Sequence, residues 1–220
     1  HSFSYAEATT RLTLSLYTGI GSGAAATDTV SGIEVVIGTK VADSISGSLG
    51  ADVIYGGGGW DWLVGFAGND TIYAGLGANS VYGHEGDDLL VGGSQNDTIN
   101  GGPGNDRIVA GGAFDRLWGG AGNDYFEIVV SNTDIYEDVG GGNDTVFTSA
   151  SYWLRANVEW LMIAPGAGPC FAVGTTSDDR LMGNEDANLL LAQGGNDTVW
   201  GGGGADRLYG AGGDDRILGE

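Results

Sequence analysis

A nine-residue period runs through this chain. At every ninth position of two long runs stands an Asp or Asn, and an aliphatic or aromatic residue follows it two places later. The first run is Asp43, Asp52, Asp61, Asp70, Asn79, Asp88, Asp97, Asp106, Asp115 and Asp124; the second is Asp179, Asn188, Asp197, Asp206 and Asp215. A unit this short has too little apolar surface to form its own core, so each repeat must be buried by its neighbours in a stack. An acid held at one phase implies that the stacked units share something cationic. Between the runs, Asp144 with Val146 repeats the pair off the grid.

The column two places after the acid reads Ile45, Ile54, Leu63, Ile72, Val81, Leu90, Ile99, Ile108, Leu117 and Phe126, then Leu181, Leu190, Val199, Leu208 and Ile217. Such a column gives one inward position per short strand. Ahead of the acid lies a Gly-rich turn, as in Gly101-Gly102-Pro103-Gly104-Asn105-Asp106. Tight turns repeated this often use the positive φ angles that Gly adopts cheaply. In a helix each such Gly would cost ~1 kcal/mol. The expected class is therefore all-β. Turn plus strand makes a half-coil, two units close a coil of eighteen residues, and turns on one edge stack ~4.8 Å apart.

Four segments follow from the pattern. Residues 1–37 are non-repetitive; Leu12, Leu14 and Leu16 alternate with polar residues, and Glu34-Val35-Val36-Ile37 follows a Gly-containing turn. Both read as strands that cap the open end of the stack. Residues 38–127 form the first repeat block and 176–220 the second. Residues 128–175 break the register, because Asp124 and Asp179 are 55 residues apart, one more than six repeats. They read as a β-rich connector, with Tyr152–Ile163 as two strands around an Asn-centred turn.

The formal charge is −21 with only eight Lys and Arg, which makes nucleic acid and anionic membranes poor partners. At 41% hydrophobic residues the chain is too apolar for a solvated acidic tail, and its acids are spaced rather than clustered. No apolar run approaches the ~18 residues of a membrane span. No basic-then-apolar leader is visible, and the last repeat stops as it begins, so the chain reads as a section of a longer protein. Cys170 is the sole cysteine, which excludes an intrachain disulfide and a Cys-based zinc site. With His1 and His84 the only histidines there is no His-Glu-x-x-His motif, and no Gly-x-Ser-x-Gly elbow either. No catalytic site is expected.

Carboxylates, Asn oxygens and backbone carbonyls are hard ligands that suit calcium. Stacking puts Asp52 beside Asp70 and Asp88, and Asp61 beside Asn79 and Asp97. Like charges that close are destabilising without a bridging cation. A calcium between adjacent turns takes one carboxylate from each, and loop carbonyls complete its ~6–8 oxygens. Counting same-edge pairs gives roughly 6–11 ions. The turns before Asp43 and Asp179 are Gly-poor and read as half-sites. Asp144 is a candidate partner for Asp134 or Glu137 in a further site.

Residues 47–127 and 183–218 resemble the Gly-Gly-x-Gly-x-Asp-x-U-x repeats of RTX, or haemolysin-type calcium-binding, proteins, a pattern known as a calcium-binding β-helix repeat. The flanks Phe3-Ser4-Tyr5-Ala6, Gly32-Ile33-Glu34 with Gly38-Thr39, and Asn157-Val158-Glu159 are similar to sequences beside such repeats. The resemblance implies a right-handed parallel β-roll (a β-helix or solenoid) with calcium in its turns. It also implies a secreted, extracellular protein of a Gram-negative bacterium, exported by the type I secretion apparatus and folding on extracellular calcium. The ligands it implies are the gridded acids with turn carbonyls of Gly57 and Gly59, Gly68, Gly75 and Gly77, Gly86, Gly93, Gly102 and Gly104, Gly120 and Gly122, Gly195, Gly202 and Gly204, and Gly213. Phe66, His84, Gln95, Ala113, Gln193 and Ala211 replace Gly within turns, which puts the geometry there in question.

Two other functions stay open. Tyr55 and Tyr73, eighteen apart, stack on one outer face beside Val91 and Val109, and Trp62, Trp118, Trp200 and Tyr209 also point outward. These aromatics pack against other parts of the protein or form a platform for a glycan or partner. Alternatively, the chain is an accessory module of a secreted protease, lipase or alginate epimerase whose catalytic domain lies elsewhere.

Overall fold

Parallel strand pairs within the repeats join residues eighteen apart, with a slip where Gly111 meets Ile128. In the computed structural model, which describes residues 2–23 and 32–219, Val53, Ile54 and Tyr55 pair with Thr71, Ile72 and Tyr73, and these pair with Leu89, Leu90 and Val91. Successive nonapeptides therefore alternate between two faces, and each coil lies in register on the one before. The described residues form twenty-four strands and no helix. A twelve-stranded parallel sheet runs from Ser2–Ser4 to Arg216–Leu218. The opposite face is divided into an eight-stranded sheet ending at Asp134–Tyr136 and a four-stranded sheet beginning at Tyr152–Trp153. The result is an all-β parallel β-roll. Residues 1 and 24–31 of the N-terminal segment, and 220 of the last repeat, lie outside the described residues.

The apolar column is the core. Val36, Ile54, Ile72, Leu90, Ile108, Phe126, Val146, Leu161, Leu181 and Val199 line one face and are fully buried; Leu14, Ile45, Leu63, Val81, Ile99, Leu117 and Ile135 line the other. The sequence pattern gave one inward position per strand, but there is a second. Four places after the acid, Gly56, Gly65, Gly83, Gly92, Gly101 and Gly119 are buried, and Ala74, Ala110 and Ala192 take the same position. A Cβ built on Gly47 would lie 2.8 Å from Asp52 Oδ2, and on Gly83 or Gly101 it would overlap the carboxylates of Asp88 or Asp106. The small column exists because the acid side chain folds inward over it. The strands are also longer than three residues: Thr71–Leu76 and Thr98–Pro103 run through their glycines to the turn.

Residues 128–175 continue the long sheet. Phe126 pairs with Val146, Val146 with Leu161 and Leu161 with Leu181, so three coils of twenty, fifteen and twenty residues replace three of eighteen. Their total exceeds three regular coils by one residue, which accounts for the slip in the grid. The strands Tyr152–Trp153 and Trp160–Ile163 flank Asn157, whose φ is 64°. At the N-terminus, Leu12–Ser15 pairs in parallel with Ser44–Ser46 and antiparallel with Ile20–Gly23, so Leu12 and Leu14 extend the core over the first coil.

Removing side-chain volume from the column leaves a cavity that stacked coils cannot close. Ile108→Ala should lower unfolding stability in excess calcium by about 2–5 kcal/mol in urea titrations. Val139→Ala, at a residue 91% exposed, should change it by less than about 0.5 kcal/mol. Equal effects would contradict the assignment of the core.

Candidate metal centre

The gridded acids are buried. Asp43 through Asp124, Asp179, Asn188 and Asp197 are each no more than 3% exposed; Asp206 and Asp215, in the last coils, are less covered. One carboxylate oxygen is used in the same way throughout. From Asp61 to Asp124, Oδ1 of each gridded residue accepts the backbone N–H of the one eighteen residues earlier, at 2.7–2.9 Å. The second run repeats the bond, with Asp179, Asn188 and Asp197 donating to Asp197, Asp206 and Asp215. The side chains thus tie coil to coil along each edge.

The second oxygen is the anomaly. Oδ2 of Asp61, Asp70, Asp88, Asp97, Asp106, Asp115, Asp124, Asp144, Asp197 and Asp206 is buried with no hydrogen-bond partner. A buried charged atom without a partner is costly, and native structures rarely keep one without an ion or water. At the Gly-poor turns the position is sealed by protein instead. Asp43 Oδ2 accepts the Thr39 N–H at 2.6 Å, while Thr39 Oγ1–H donates to Oδ1. Asp52 is closed in the same way by the N–H and hydroxyl of Ser48, and Asp179 by those of Thr175. The Asn184 N–H fills that role for Asn188.

Burial acts on the charge as expected. Loss of water pushes the carboxyls of Asp61, Asp70 and Asp97 up to about 7 and that of Asp106 up to about 8, from an ordinary 3.8. The stacked carboxylates add to the rise: Asp88 and Asp52 act on Asp70, and Asp124 and Asp88 on Asp106. The N–H bond to Oδ1 offsets part of it. Asp88, Asp115, Asp124, Asp144 and Asp179 rise to about 6 for the same first cause.

The turns bring carbonyls alongside. All fifteen glycines singled out in the sequence have positive φ, from 82° at Gly202 to 146° at Gly104. A Cβ built on Gly77 would overlap the carbonyl oxygen of Gly59, because that carbonyl points along the stack at the next coil. Among the substituted turn positions, Phe66, His84, Ala113, Gln193 and Ala211 keep the left-handed conformation despite their Cβ atoms, whereas Gln95 does not.

Some rungs are not on the nine-residue grid. Asp124 donates to Asp144 Oδ1 at 2.8 Å, and Asp144 donates to Glu159 Oε2 at 2.8 Å. The main-chain oxygen of Glu159 accepts the N–H of Arg180, as Asp124's accepts that of Thr145. One edge is therefore acidic from Asp52 to Asp215 without a gap. Leu161 two places after Glu159 was the signal for that rung, carried by Glu instead of Asp. The other edge is interrupted after Asp115, where Thr133 and later Cys170 hold the acid's place. Asp134 is not drawn to Asp144; it forms an ion pair with Arg155 at 2.7 Å. An outer row was also missed. Asn69, Asp87, Asn105 and Asn123 each accept the N–H of the residue one coil on.

A parallel β-roll with stacked, buried, half-partnered carboxylates and close-stacked glycine turns is a cation-binding repeat module. The model of the RTX calcium-binding nonapeptide repeat matches residues 37–65, 64–99, 100–127, 173–208 and 192–220, more than half of the chain. The chain belongs to that family, and it is a calcium-binding structural module. No curated protein matches the sequence.

The raised carboxyl values have a definite sign. Groups that hold their protons more tightly folded than unfolded stabilise the metal-free roll below about pH 3.8, and that stabilisation is lost as pH rises through about 6–8. In chelator, lowering the pH from 8 to about 5 should increase the β-sheet circular dichroism signal. A decrease over that interval would contradict the burial of these groups.

Proposed function

We propose that this chain is a calcium-dependent folding module of a secreted bacterial protein. It stays unfolded in the calcium-poor cytosol and forms its roll outside the cell, supporting type I secretion and maturation of its parent. The observation that carries the reading is the row of buried Oδ2 atoms without donors. On this reading Asp61, Asp70, Asp88, Asp97, Asp106, Asp115, Asp124, Asp197 and Asp206 ligate calcium, with the turn carbonyls of glycines such as Gly57, Gly59, Gly102 and Gly104. Asp43, Asp52 and Asp179 are left out of this set, since Thr39, Ser48 and Thr175 already serve their carboxylates.

Affinities of ~10⁻⁴–10⁻³ M leave such sites vacant in cytosol and filled outside. Each filled site adds RT ln(1 + [L]/Kd), ~2.7 kcal/mol at a hundredfold excess over Kd, so several sites in one stack make a steep switch.

A second reading rests on the outer aromatics. Tyr55 and Tyr73 stack with ring centroids 5.0 Å apart, Trp62 and Tyr82 4.8 Å apart, and Trp118 and Tyr136 4.7 Å apart, all at least partly exposed. Exposed pairs of this kind suit the apolar face of a sugar or a partner protein. A glycan-array screen in calcium that gives no hit would remove the glycan version.

The folding switch is tested by far-ultraviolet circular dichroism from chelator to ~10 mM calcium, with magnesium as control ion. The expected outcome is a cooperative coil-to-β transition with calcium alone. A β signal complete in chelator at pH 8, or one produced equally by magnesium, would overturn the proposal.

A further inference from the structure

The inward column of small residues ends at a glutamate. Gly83, Gly101 and Gly119 follow one another at eighteen-residue steps, and the next step is Glu137. In the regular coils a Cβ built on Gly83 meets two oxygens, Asp88 Oδ2 and, at 2.7 Å, the carbonyl oxygen of Gly101. For Gly101 the pair is Asp106 Oδ2 and the Gly119 carbonyl, again at 2.7 Å. For Gly119 the carbonyl is missing from the pair. Its place beside Asp124 Oδ2 is taken by Glu137 Oε1. The glutamate has no room inside the roll, so its side chain turns back over the preceding coil. There Oε1 accepts the Gly119 N–H at 2.7 Å and Oε2 the Gly120 N–H at 3.2 Å.

This exchange of a neutral carbonyl for a carboxylate creates a group unlike the repeats around it. One oxygen each of Asp124, Glu137 and Asp144 lie within 4.8 Å of one another. Asp124 Oδ1 is occupied by the Asp106 N–H and Asp144 Oδ1 by the Asp124 N–H. Their Oδ2 atoms have no partner, and the two residues are 1% and 0% exposed. The ion pairs among the described residues, Lys40–Glu7, Arg107–Glu127 and Arg155–Asp134, bring no cation here. Oxygens bound to one calcium at 2.3–2.6 Å lie at most about 4.6–5.2 Å apart, so the three groups are close enough to share an ion.

We propose that Asp124, Glu137 and Asp144 form a three-carboxylate calcium site, in which the last acid of the first run shares its ion with two carboxylates beyond the grid, and that it is the first to fill. It lies beside Asp134–Tyr136, the last strand of the eight-stranded sheet, so its ion holds the first irregular coil to the first repeat block. Higher ligand charge raises calcium affinity, which puts this site ahead of turn sites at ~10⁻⁴–10⁻³ M.

The inference rests on the turns binding calcium, and one experiment separates the two. Calcium binding to the full chain is measured against a chromophoric chelator for wild type, Glu137→Gln and the outer-face control Glu127→Gln. The expected result is a tight phase of one ion in wild type and control. Glu137→Gln should weaken it about tenfold or more, leave the weaker ions unchanged, and reach the same circular dichroism signal at ~10 mM calcium. A wild type that binds no calcium would overturn the turn reading as well. Wild-type binding that Glu137→Gln leaves unaltered would overturn only the three-carboxylate site. Should Glu137→Gln not fold at ~10 mM calcium, Glu137→Asp decides: recovery of fold and tight phase supports the need for a carboxylate. Failure of both variants would make Glu137 a packing residue and overturn the inference.

Discussion

Everything in this roll depends on how one carboxylate divides its two oxygens. Oδ1 accepts the N–H of the acid one coil earlier, which fixes the stacking register and carries the side chain out of water. Oδ2 is thereby buried too, without a donor. The first bond supports the stack only when something compensates the second oxygen. On the proposed reading, protons do so at low pH and calcium does so at neutral pH. Where neither is needed, a Thr or Ser one turn earlier closes the carboxylate with its own N–H and hydroxyl.

Much of this was legible because a solenoid turns three-dimensional neighbours into a sequence period. The columns Ile54–Ile72–Leu90–Ile108 and Asp70–Asp88–Asp106–Asp124 are stacks in space and eighteen-residue steps in the chain. What the pattern concealed was irregular by the same logic. The coils through Val146 and Leu161 differ in length, so their residues leave the grid while staying in the sheet. The inward Gly and Ala column was hidden among glycines needed for turns. The sealing role of Thr39, Ser48 and Thr175 depends on a hydroxyl reaching four residues forward, and spacing alone does not announce that.

The two edges of the roll are not equivalent. On one, acids follow each other from Asp52 to Asp215, with Asp144 and Glu159 filling the irregular stretch. On the other, Thr133 and Cys170 replace the acid just where that face is split. A continuous charged row on one side and an interrupted one on the other make the middle of the chain dependent on one edge. The carboxylate of Glu137 is added on that edge.

The central claim is that calcium occupies the space left by the orphaned carboxylate oxygens. A crystal structure grown in calcium, with anomalous scattering collected at long wavelength, tests it most directly. The account predicts calcium peaks between successive turns, bonded to Oδ2 of Asp70, Asp88, Asp106 and Asp124 and to neighbouring turn carbonyls. Peaks confined to exposed acids such as Asp87, with water or a protein donor on the buried Oδ2 atoms, would contradict it.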